Sequence, residues 1–242
     1  MSTVSGGRNV YGLGLGVLLL ETRFPRIPGD IGNATSYRVP VRFKVVPGAV
    51  VSRVVNADPD PALADDFIAA GRELEAEGVR AITTSCGFMV LFQEAIARAL
   101  SVPFFASSLL LLPLVYRLTG RPVGVVTASA RALSARHLAA ACGGLEVPVV
   151  VAGLEDRPAF RSAILEDGPE LDPERVEAEV VETAAGLVRG APDIGAILFE
   201  CHNLPPYAAA VQKATGRPVF HILHLVDLVL GGTFPDRFSG WV

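Results

Sequence analysis

Short, continuously apolar runs alternate along the chain with longer segments whose apolar residues recur at helical spacing. A continuous run is typical of a buried parallel strand, whereas a 3.6-residue period indicates an amphipathic helix. In the first half, the pattern predicts strands at residues 10–20, 43–52, 79–85 and 102–107. It predicts helices at residues 62–77 and 88–100, followed by an apolar helix that runs through Leu118. This alternation indicates right-handed βαβ units and therefore a parallel sheet.

The same order of elements returns after a break at Thr119-Gly120-Arg121-Pro122. The second half has predicted strands at residues 123–128, 147–154, 194–200 and 219–223, and predicted helices at residues 130–141, 173–189 and 205–215. We therefore expect two similar parallel-sheet α/β domains related by pseudo-twofold symmetry, with the active-site cleft between them. The N-terminal domain would span residues 1–119 and the C-terminal domain residues 120–224. The tail, residues 225–242, would pack back on the N-terminal domain.

An internal repeat supports this division of the chain. Residues 80–107 align without a gap on residues 195–222, at a constant offset of 115 residues. Cys86 then falls on Cys201, and Pro103 falls on Pro218. In both copies the cysteine ends an apolar run and precedes a helical pattern, so the two thiols occupy equivalent positions.

The matched cysteines are the candidate catalytic groups. Open parallel sheets bind ligands at the carboxyl ends of their strands, so two facing units would direct both thiols into one cleft. One thiolate could then remove a proton from a substrate while the opposed thiol returns one. A helix N-terminus next to each cysteine is expected to lower the thiol pKa. A buried cysteine is often only a small apolar residue, but the equivalent positions of Cys86 and Cys201 favour a functional role.

Several residues around the cysteines are expected to bind the substrate: Ser85, Gly87, Phe88, Thr127, Ser129, His202 and Asn203. Backbone N–H groups at Gly87-Phe88 and His202-Asn203 would bind a carboxylate and the negative charge that develops when an α-proton leaves. Alternatives remain open for the side chains, because Thr127 and Ser129 also suit ordinary helix capping and His202 also suits a structural role. The arginines of the loop at residues 21–40, Arg23, Arg26 and Arg38, would either bind a distal acid or remain solvated.

The remaining candidates for chemistry are weaker. Cys142 has no counterpart in the repeat, so we expect it to pack rather than react. We expect His137 on the surface of a helix. The glycines of YGLGLG at residues 11–16 lie inside an apolar run, which argues against a dinucleotide-binding loop. The cysteines and histidines are too scattered for a zinc site, and we expect no metal and no other cofactor.

Charge and cysteine content restrict the class of protein further. A net charge of −4 without a basic stripe argues against nucleic acid as a partner. Three cysteines are too few for a disulfide framework, which favours the cytoplasm. The apolar stretch at residues 10–20 is too short and glycine-rich to span a bilayer, and no signal cleavage site follows it. We expect a cytoplasmic homodimer or higher homo-oligomer that acts on a small carboxylate.

Three segments resemble the aspartate/glutamate racemase superfamily, which includes hydantoin racemases, arylmalonate decarboxylases and maleate isomerases. They are TTSCGF at residues 83–88, GVVTAS at residues 124–129 and ECHNLPPY at residues 200–207. The resemblance implies cofactor-independent catalysis, with one cysteine as base and the other as acid. Glutamate racemases usually carry Asn-Thr and Thr-His after the two cysteines, whereas this chain has Gly87-Phe88 and His202-Asn203. This difference argues against glutamate as the substrate.

The sequence thus predicts a cofactor-independent isomerase that racemises or epimerises an amino acid or a related carboxylate. Both cysteines are present, whereas decarboxylases of this fold keep only the second, so racemisation is favoured over decarboxylation. The alternatives are an enzyme that resembles maleate isomerase or arylmalonate decarboxylase, and a non-catalytic two-lobed small-molecule-binding protein. A redox dithiol protein is disfavoured because the cysteines do not form a close pair such as C-x-x-C.

Overall fold

Two sheets, each of four parallel strands, form the framework of the computed structural model, which describes residue 3, residues 6–234 and residues 239–240. The first sheet has the order β2-β1-β3-β4 and contains β1 (Leu15–Leu19), β2 (Val41–Val45), β3 (Ala81–Thr84) and β4 (Phe104–Phe105). The second has the order β6-β5-β7-β8 and contains β5 (Val123–Thr127), β6 (Val149–Gly153), β7 (Ala196–Phe199) and β8 (Val219–Phe220). The predicted α/β fold with two similar parallel sheets is confirmed.

The helices connect successive strands, as parallel pairing requires. The α-helices are α1 (Val51–Val54), α2 (Leu63–Glu77), α3 (Gln93–Ala99), α4 (Leu112–Thr119), α5 (Ala135–Cys142), α6 (Pro158–Phe160), α7 (Pro173–Gly190), α8 (Ala208–Thr215) and α9 (Ile222–Thr233). Short 3₁₀ helices occupy Ala34–Ser36, Gly87–Phe92, Ser108–Leu111 and Pro205–Tyr207, and a π-helical turn occupies Arg161–Leu165. Among the described residues, no helix is both long and apolar enough to cross a membrane.

The repeat found in the sequence is also a structural repeat. β3 and β7 lie 115 residues apart, as do β4 and β8. Their pairing follows the same offset, because Ile82 aligns with Phe104 in the first sheet and Ile197 with Val219 in the second. In both copies a 3₁₀ turn precedes the α-helix, so the chain leaves the strand in a similar way after each cysteine.

Burial explains why the central strands read as continuous apolar runs. Every residue of β3, β5 and β7 is buried, whereas the edge strands β2 and β6 are largely half-exposed. Aliphatic side chains from both halves join one hydrophobic cluster, which places the junction of the two sheets inside the core.

The predicted strands are longer than the observed ones, as for β1, which was predicted at residues 10–20, and two of them extended into the start of a helix. β2 ends at Val45 because Pro47 and Gly48 form a turn, in which Gly48 adopts a φ of 74°, and Val51 then begins α1. β8 ends at Phe220 because the side chains of His221 and His224 cap the start of α9. The helical segment at residues 158–165 was not predicted.

The last helix returns to the first half of the chain, since α9 contacts β3 of the first sheet. The expected tail extends to residue 242, and its residues 235–238 and 241–242 lie outside the described residues. The domain boundary at residues 119 and 120 stays a prediction, as does the homo-oligomer.

Candidate active site

The two matched cysteines line the same cleft, which lies between the halves of the chain. Each cysteine follows its strand after one residue, Cys86 after β3 and Cys201 after β7. Both thiols are free, and they are only 9% and 6% exposed. Much of the cleft wall is apolar and comes from both halves of the chain: Leu20, Phe24, Val51, Val55, Ile164 and Leu165. This is the shared cleft expected from the repeat.

Burial controls the protonation of both thiols. Desolvation, and next the negative charge of Glu200, holds the pKa of Cys86 far above its ordinary value. The same two causes, in the same order, raise the pKa of Cys201. The N–H groups of Phe88 and Asn203 act in the opposite direction, as expected from the sequence, but their effect is smaller. The expected lowering of the thiol pKa values is therefore wrong, because desolvation and a buried carboxylate outweigh the helix starts.

A buried carboxylate, Glu200, lies beside both cysteines in the cleft, and the sequence analysis did not identify it. Thr127 Oγ1 donates a 2.7 Å hydrogen bond to its Oε2. Its Oε1 has no hydrogen-bond partner among the described residues. Burial raises the pKa of Glu200 to about 7, although hydrogen bonds from Thr127 and the Ala128 N–H oppose this shift. The signal in the sequence was an acidic residue at the end of an apolar strand, directly before Cys201.

Gly87 allows the two halves to approach closely at this point. A Cβ atom on Gly87 would collide with both the carbonyl oxygen and the carboxylate oxygen Oε1 of Glu200. The glycine is therefore required for packing against Glu200, in addition to its expected place at the substrate.

His202 joins the two halves through backbone hydrogen bonds. Its Nδ1 lies 2.9 Å from the carbonyl oxygen of Thr84, and its Nε2 accepts a 3.3 Å hydrogen bond from the Ser108 N–H. Because a carbonyl only accepts and an amide N–H only donates, these partners assign the proton to Nδ1. Burial lowers the pKa of His202 to about 4, so the ring is neutral. Both nitrogens are occupied, which favours the structural role of His202, and its expected contact with the substrate stays a prediction.

A chain of hydrogen bonds connects the loop after β1 to Cys201. The Cys201 thiol donates to Asn203 Oδ1 at 3.5 Å, and Asn203 Nδ2 donates to Asp30 Oδ2 at 2.7 Å. Asp30 in turn forms a buried ion pair of 2.9 Å with Arg26, whose guanidinium also donates to Thr22. Asn203 therefore orients the thiol, and the loop orients Asn203.

The arginines of this loop have three different environments. Arg26 lines the cleft, and Arg38 is exposed. Arg23 reaches the second half of the chain, where Asp167 accepts a hydrogen bond from its backbone N–H and also contacts its guanidinium. Asp167 has a φ of 53°, which is uncommon for a residue other than glycine. The loop thus closes over the cleft and is held at its far side.

Other expected contacts divide into two groups. Ser85, Phe88 and Asn203 line the cleft, as does Gly87. Ser85 Oγ accepts a hydrogen bond from the Leu20 N–H, so its hydroxyl is already engaged.

Thr127 and Ser129, by contrast, are not among the residues that line the cleft, and their expected contact with the substrate stays a prediction. Thr127 acts through Glu200, as described above. Ser129 accepts a hydrogen bond from the Ala132 N–H, which is the capping alternative.

His137 is buried and packs edge-on against Phe88 at 5.0 Å, so its expected surface position is wrong. Within the part of the chain that the structure describes, no three potential ligands come together to hold a metal ion.

Comparison with known proteins identifies relatives over most of the chain, although no protein-family model matches it. A dimethylsulfoniopropionate lyase of Durusdinium sp. clade D is 32% identical over 231 residues, covering 93% of this chain and 76% of the relative. Dimethylsulfoniopropionate lyase 7 of Emiliania huxleyi (strain CCMP1516) is 33% identical over 216 residues, covering 85% of this chain and 63% of that protein. The chain therefore spans less than two thirds of the Emiliania relative.

Solved structures extend the likeness to the fold. An unliganded arylmalonate decarboxylase superposes with a TM-score of 0.61 at 16% identity, covering 94% of this chain and 96% of the other. An aspartate racemase of Picrophilus torridus superposes with a TM-score of 0.55 at 13% identity, covering 93% and 96%. The chain therefore belongs to the family of these dimethylsulfoniopropionate lyases, and it shares its fold with arylmalonate decarboxylase and aspartate racemase.

Proposed function

We propose that this protein is a lyase that cleaves 3-(dimethylsulfonio)propionate, or a close analogue, into dimethyl sulfide and acrylate. A thiolate in the cleft removes a proton from the carbon next to the carboxylate. The electron pair of that C–H bond forms the new C=C bond, and the C–S pair leaves with neutral dimethyl sulfide. The proton stays on the cysteine until solvent takes it up, so atoms and charge balance without a cofactor.

The observation that carries this proposal is the pair of thiols, Cys86 and Cys201, in one apolar cleft of a chain 32% identical to a dimethylsulfoniopropionate lyase. The α-proton of a carboxylate is weakly acidic, so removing it requires a base held at the carbon and donors for the charge that develops on the carboxylate. The N–H groups of Phe88 and Asn203, which lie next to the thiols, are suited to the second task.

The cleft is also suited to the leaving group. Dimethyl sulfide is apolar and neutral, and the walls around the thiols are aliphatic and aromatic. A sulfonium ion loses its hydration on entering this apolar cleft, whereas neutral dimethyl sulfide needs no hydration. The apolar walls therefore favour the step that converts the sulfonium group into neutral dimethyl sulfide.

The second candidate is racemisation or epimerisation of an amino acid or related carboxylate, with Cys86 and Cys201 as the opposed base and acid. The matched positions of the thiols in the two halves favour it, because racemisation needs a group on each face of the α-carbon. Elimination needs a single base, since the leaving group departs without a proton. The two reactions therefore make different demands on the cysteines.

Proton NMR in D₂O separates these candidates. The protein is incubated with 3-(dimethylsulfonio)propionate, and in parallel with aspartate, neutral amino acids and hydantoins. The proposal predicts acrylate signals from the sulfonium compound and no deuterium incorporation into the amino acids. Deuterium in both enantiomers of an amino acid, with no acrylate, would instead establish the racemase.

Cysteine variants provide a second test with a matched control. Cys142→Ser changes a thiol that lies outside the cleft, at the end of α5, and should leave the rate unchanged. For elimination, Cys86→Ser and Cys201→Ser should differ, and the variant that loses the base should fall by at least about 10²-fold. Equal and complete loss in both variants, together with α-proton exchange into one enantiomer, would favour the two-base scheme.

A further inference from the structure

Glu200 is a buried carboxylate in the cleft, and it forms no ion pair with any residue that the structure describes. Its side chain is fully buried and follows β7, directly before Cys201. Thr127 and the Ala128 N–H bind the carboxylate from one side. Its other oxygen, Oε1, accepts no hydrogen bond within the described part of the chain.

The positive charge that lines the same cleft is already neutralised. The guanidinium of Arg26 binds the carboxylate of Asp30 at 2.9 Å and the hydroxyl of Thr22 at 2.9 Å. An ionised carboxylate that is buried without a counter-ion is costly, and the cost is removed when a cation binds beside it. Glu200 therefore has the properties of a group whose partner arrives with the ligand.

We propose that Glu200 is the cation-recognising group of this cleft and selects substrates that carry a dimethylsulfonium or another fully alkylated onium group. This inference rests on the proposed function for the identity of the substrate, and it adds the residue that distinguishes the substrate from carboxylates of the same shape that lack the positive charge.

The surroundings of Glu200 suit an alkylated cation better than a primary ammonium group. An ammonium group carries three N–H donors, each of which needs an acceptor when it is buried. A sulfonium or quaternary ammonium group carries methyl groups instead and needs only apolar contacts, a negative charge and aromatic faces. The cleft offers Glu200, the lining residue Phe88 and the aliphatic walls. One face of the Phe24 ring is already covered by the Arg26 guanidinium, at 4.7 Å from the ring centroid.

A bound onium group would also assist the chemistry. The negative charge of Glu200 is the second-largest cause of the raised pKa values of Cys86 and Cys201. A positive group beside Glu200 cancels this effect, so the thiolate needed as a base becomes easier to form when the substrate is present. A carboxylate of the same size without an onium group would not provide this activation.

Two inert ligands of equal shape test the inference by binding alone. They are 3-(trimethylammonio)propionate and 4,4-dimethylpentanoate, which share the carboxylate and the three methyl groups and differ only in the positive charge. Dissociation constants are measured by calorimetry at pH 8 for the wild type and for Glu200→Gln. We expect the wild type to bind 3-(trimethylammonio)propionate about 10-fold or more tightly than 4,4-dimethylpentanoate. The variant should lose this preference, and its dissociation constant for 4,4-dimethylpentanoate should change less than about threefold.

A second variant covers the case in which Glu200→Gln does not fold. Thr127→Val removes a donor to the carboxylate without touching the ligand, and it should lower the cation preference at pH 7 because Glu200 is then more fully protonated. As a third ligand, 3-ammoniopropionate distinguishes the source of the charge, and it should bind more weakly than the trimethylated compound.

Several results would overturn the inference. They are an unchanged cation preference in Glu200→Gln, a wild type that binds both inert ligands equally or neither of them, and a preference for the primary ammonium ligand. A variant that keeps the preference but loses turnover would make Glu200 a proton-transfer group instead. These outcomes are separate from the proposed lyase, because dimethyl sulfide release by the wild type is measured independently of the preference.

Discussion

Asp30 is the residue on which the loop after β1 most depends, and Asp30→Asn isolates its charge with the smallest change of shape. Asp30 Oδ1 accepts hydrogen bonds from Arg26 at 2.9 Å and from the Gly32 N–H at 2.7 Å, while Oδ2 accepts from Asn203 at 2.7 Å. Three donors thus converge on two acceptor oxygens. An asparagine offers one acceptor oxygen and an NH₂ group, so one donor must face another donor.

The cost follows from burial. The side chains of Asp30 and Arg26 are only 4% and 14% exposed, and removing one partner of a buried pair costs about 3–5 kcal/mol. Because asparagine keeps one acceptor for Arg26 or Gly32, we expect Asp30→Asn to lower the free energy of unfolding by about 3 kcal/mol. If Asn203 turns its amide to relieve the clash, the Cys201 thiol loses its acceptor, so the stability or the thiol geometry must change.

Urea unfolding, followed by circular dichroism, measures this difference against a matched control. Asp58 pairs with Arg136 at 2.6 Å, but the two side chains are 83% and 68% exposed. The same substitution, Asp58→Asn, should therefore change the free energy of unfolding by less than about 0.5 kcal/mol. If the two variants were equally stable, the argument that the loop is held by a buried charge would be refuted.

Other perturbations of the cleft have equally definite outcomes. Gly87→Ala should lower the free energy of unfolding by about 1–3 kcal/mol and also reduce turnover, because its Cβ collides with Glu200. Gly186→Ala on α7 should not destabilise, because its Cβ meets only an ordinary 3.7 Å contact with Arg189; calorimetric melting compares the two variants. The pKa of Glu200 rises from 4.5 to about 7 on folding, so the folded form holds the proton more tightly. The contribution of Glu200 to stability is therefore lost as pH rises from 4.5 through 7. Unfolding curves of Glu200→Gln should lack this pH dependence, and an identical dependence in the variant would contradict the raised pKa. The pKa of His202 falls from 6.5 to about 4 on folding, so its contribution to the free energy of unfolding is present above pH 6.5 and is lost as pH falls through 4. His202→Asn should remove this loss of stability at low pH. If His202 only positions the two halves, KM and kcat should change together in this variant.

The sequence was sufficient for the fold and for the pair of thiols because both depend on local patterns. The buried strands β3 and β7 read as apolar runs, and the offset of 115 residues placed Cys86 and Cys201 at equivalent ends. The two strands belong to different sheets, and the packing of the two halves brings their ends to a shared cleft. The short strand β2 was overestimated because the apolar residues after Gly48 belong to α1, and a run of apolar residues does not distinguish a strand from a short buried helix.

The electrostatics of the cleft were not predictable in the same way, because they depend on contacts between residues far apart in the chain. Glu200 meets Thr127 from another strand, and Asn203 meets Asp30 from a loop 173 residues earlier. The helix starts beside the cysteines were visible in the sequence, but the depth of burial that reverses their effect on the thiol pKa was not. His202 is a similar case, since its two partners, Thr84 and Ser108, come from the other half of the chain.

Measuring both products of 3-(dimethylsulfonio)propionate tests most directly whether a thiol of this cleft catalyses the elimination. Dimethyl sulfide is followed by gas chromatography and acrylate by NMR, with the wild type, Cys142→Ser, Cys86→Ser and Cys201→Ser in parallel. We expect equal amounts of both products from the wild type and from Cys142→Ser, and loss of both products in at least one variant of the cleft cysteines. No dimethyl sulfide from the folded wild type, or undiminished release from both cleft variants, would contradict elimination by a thiol of this cleft.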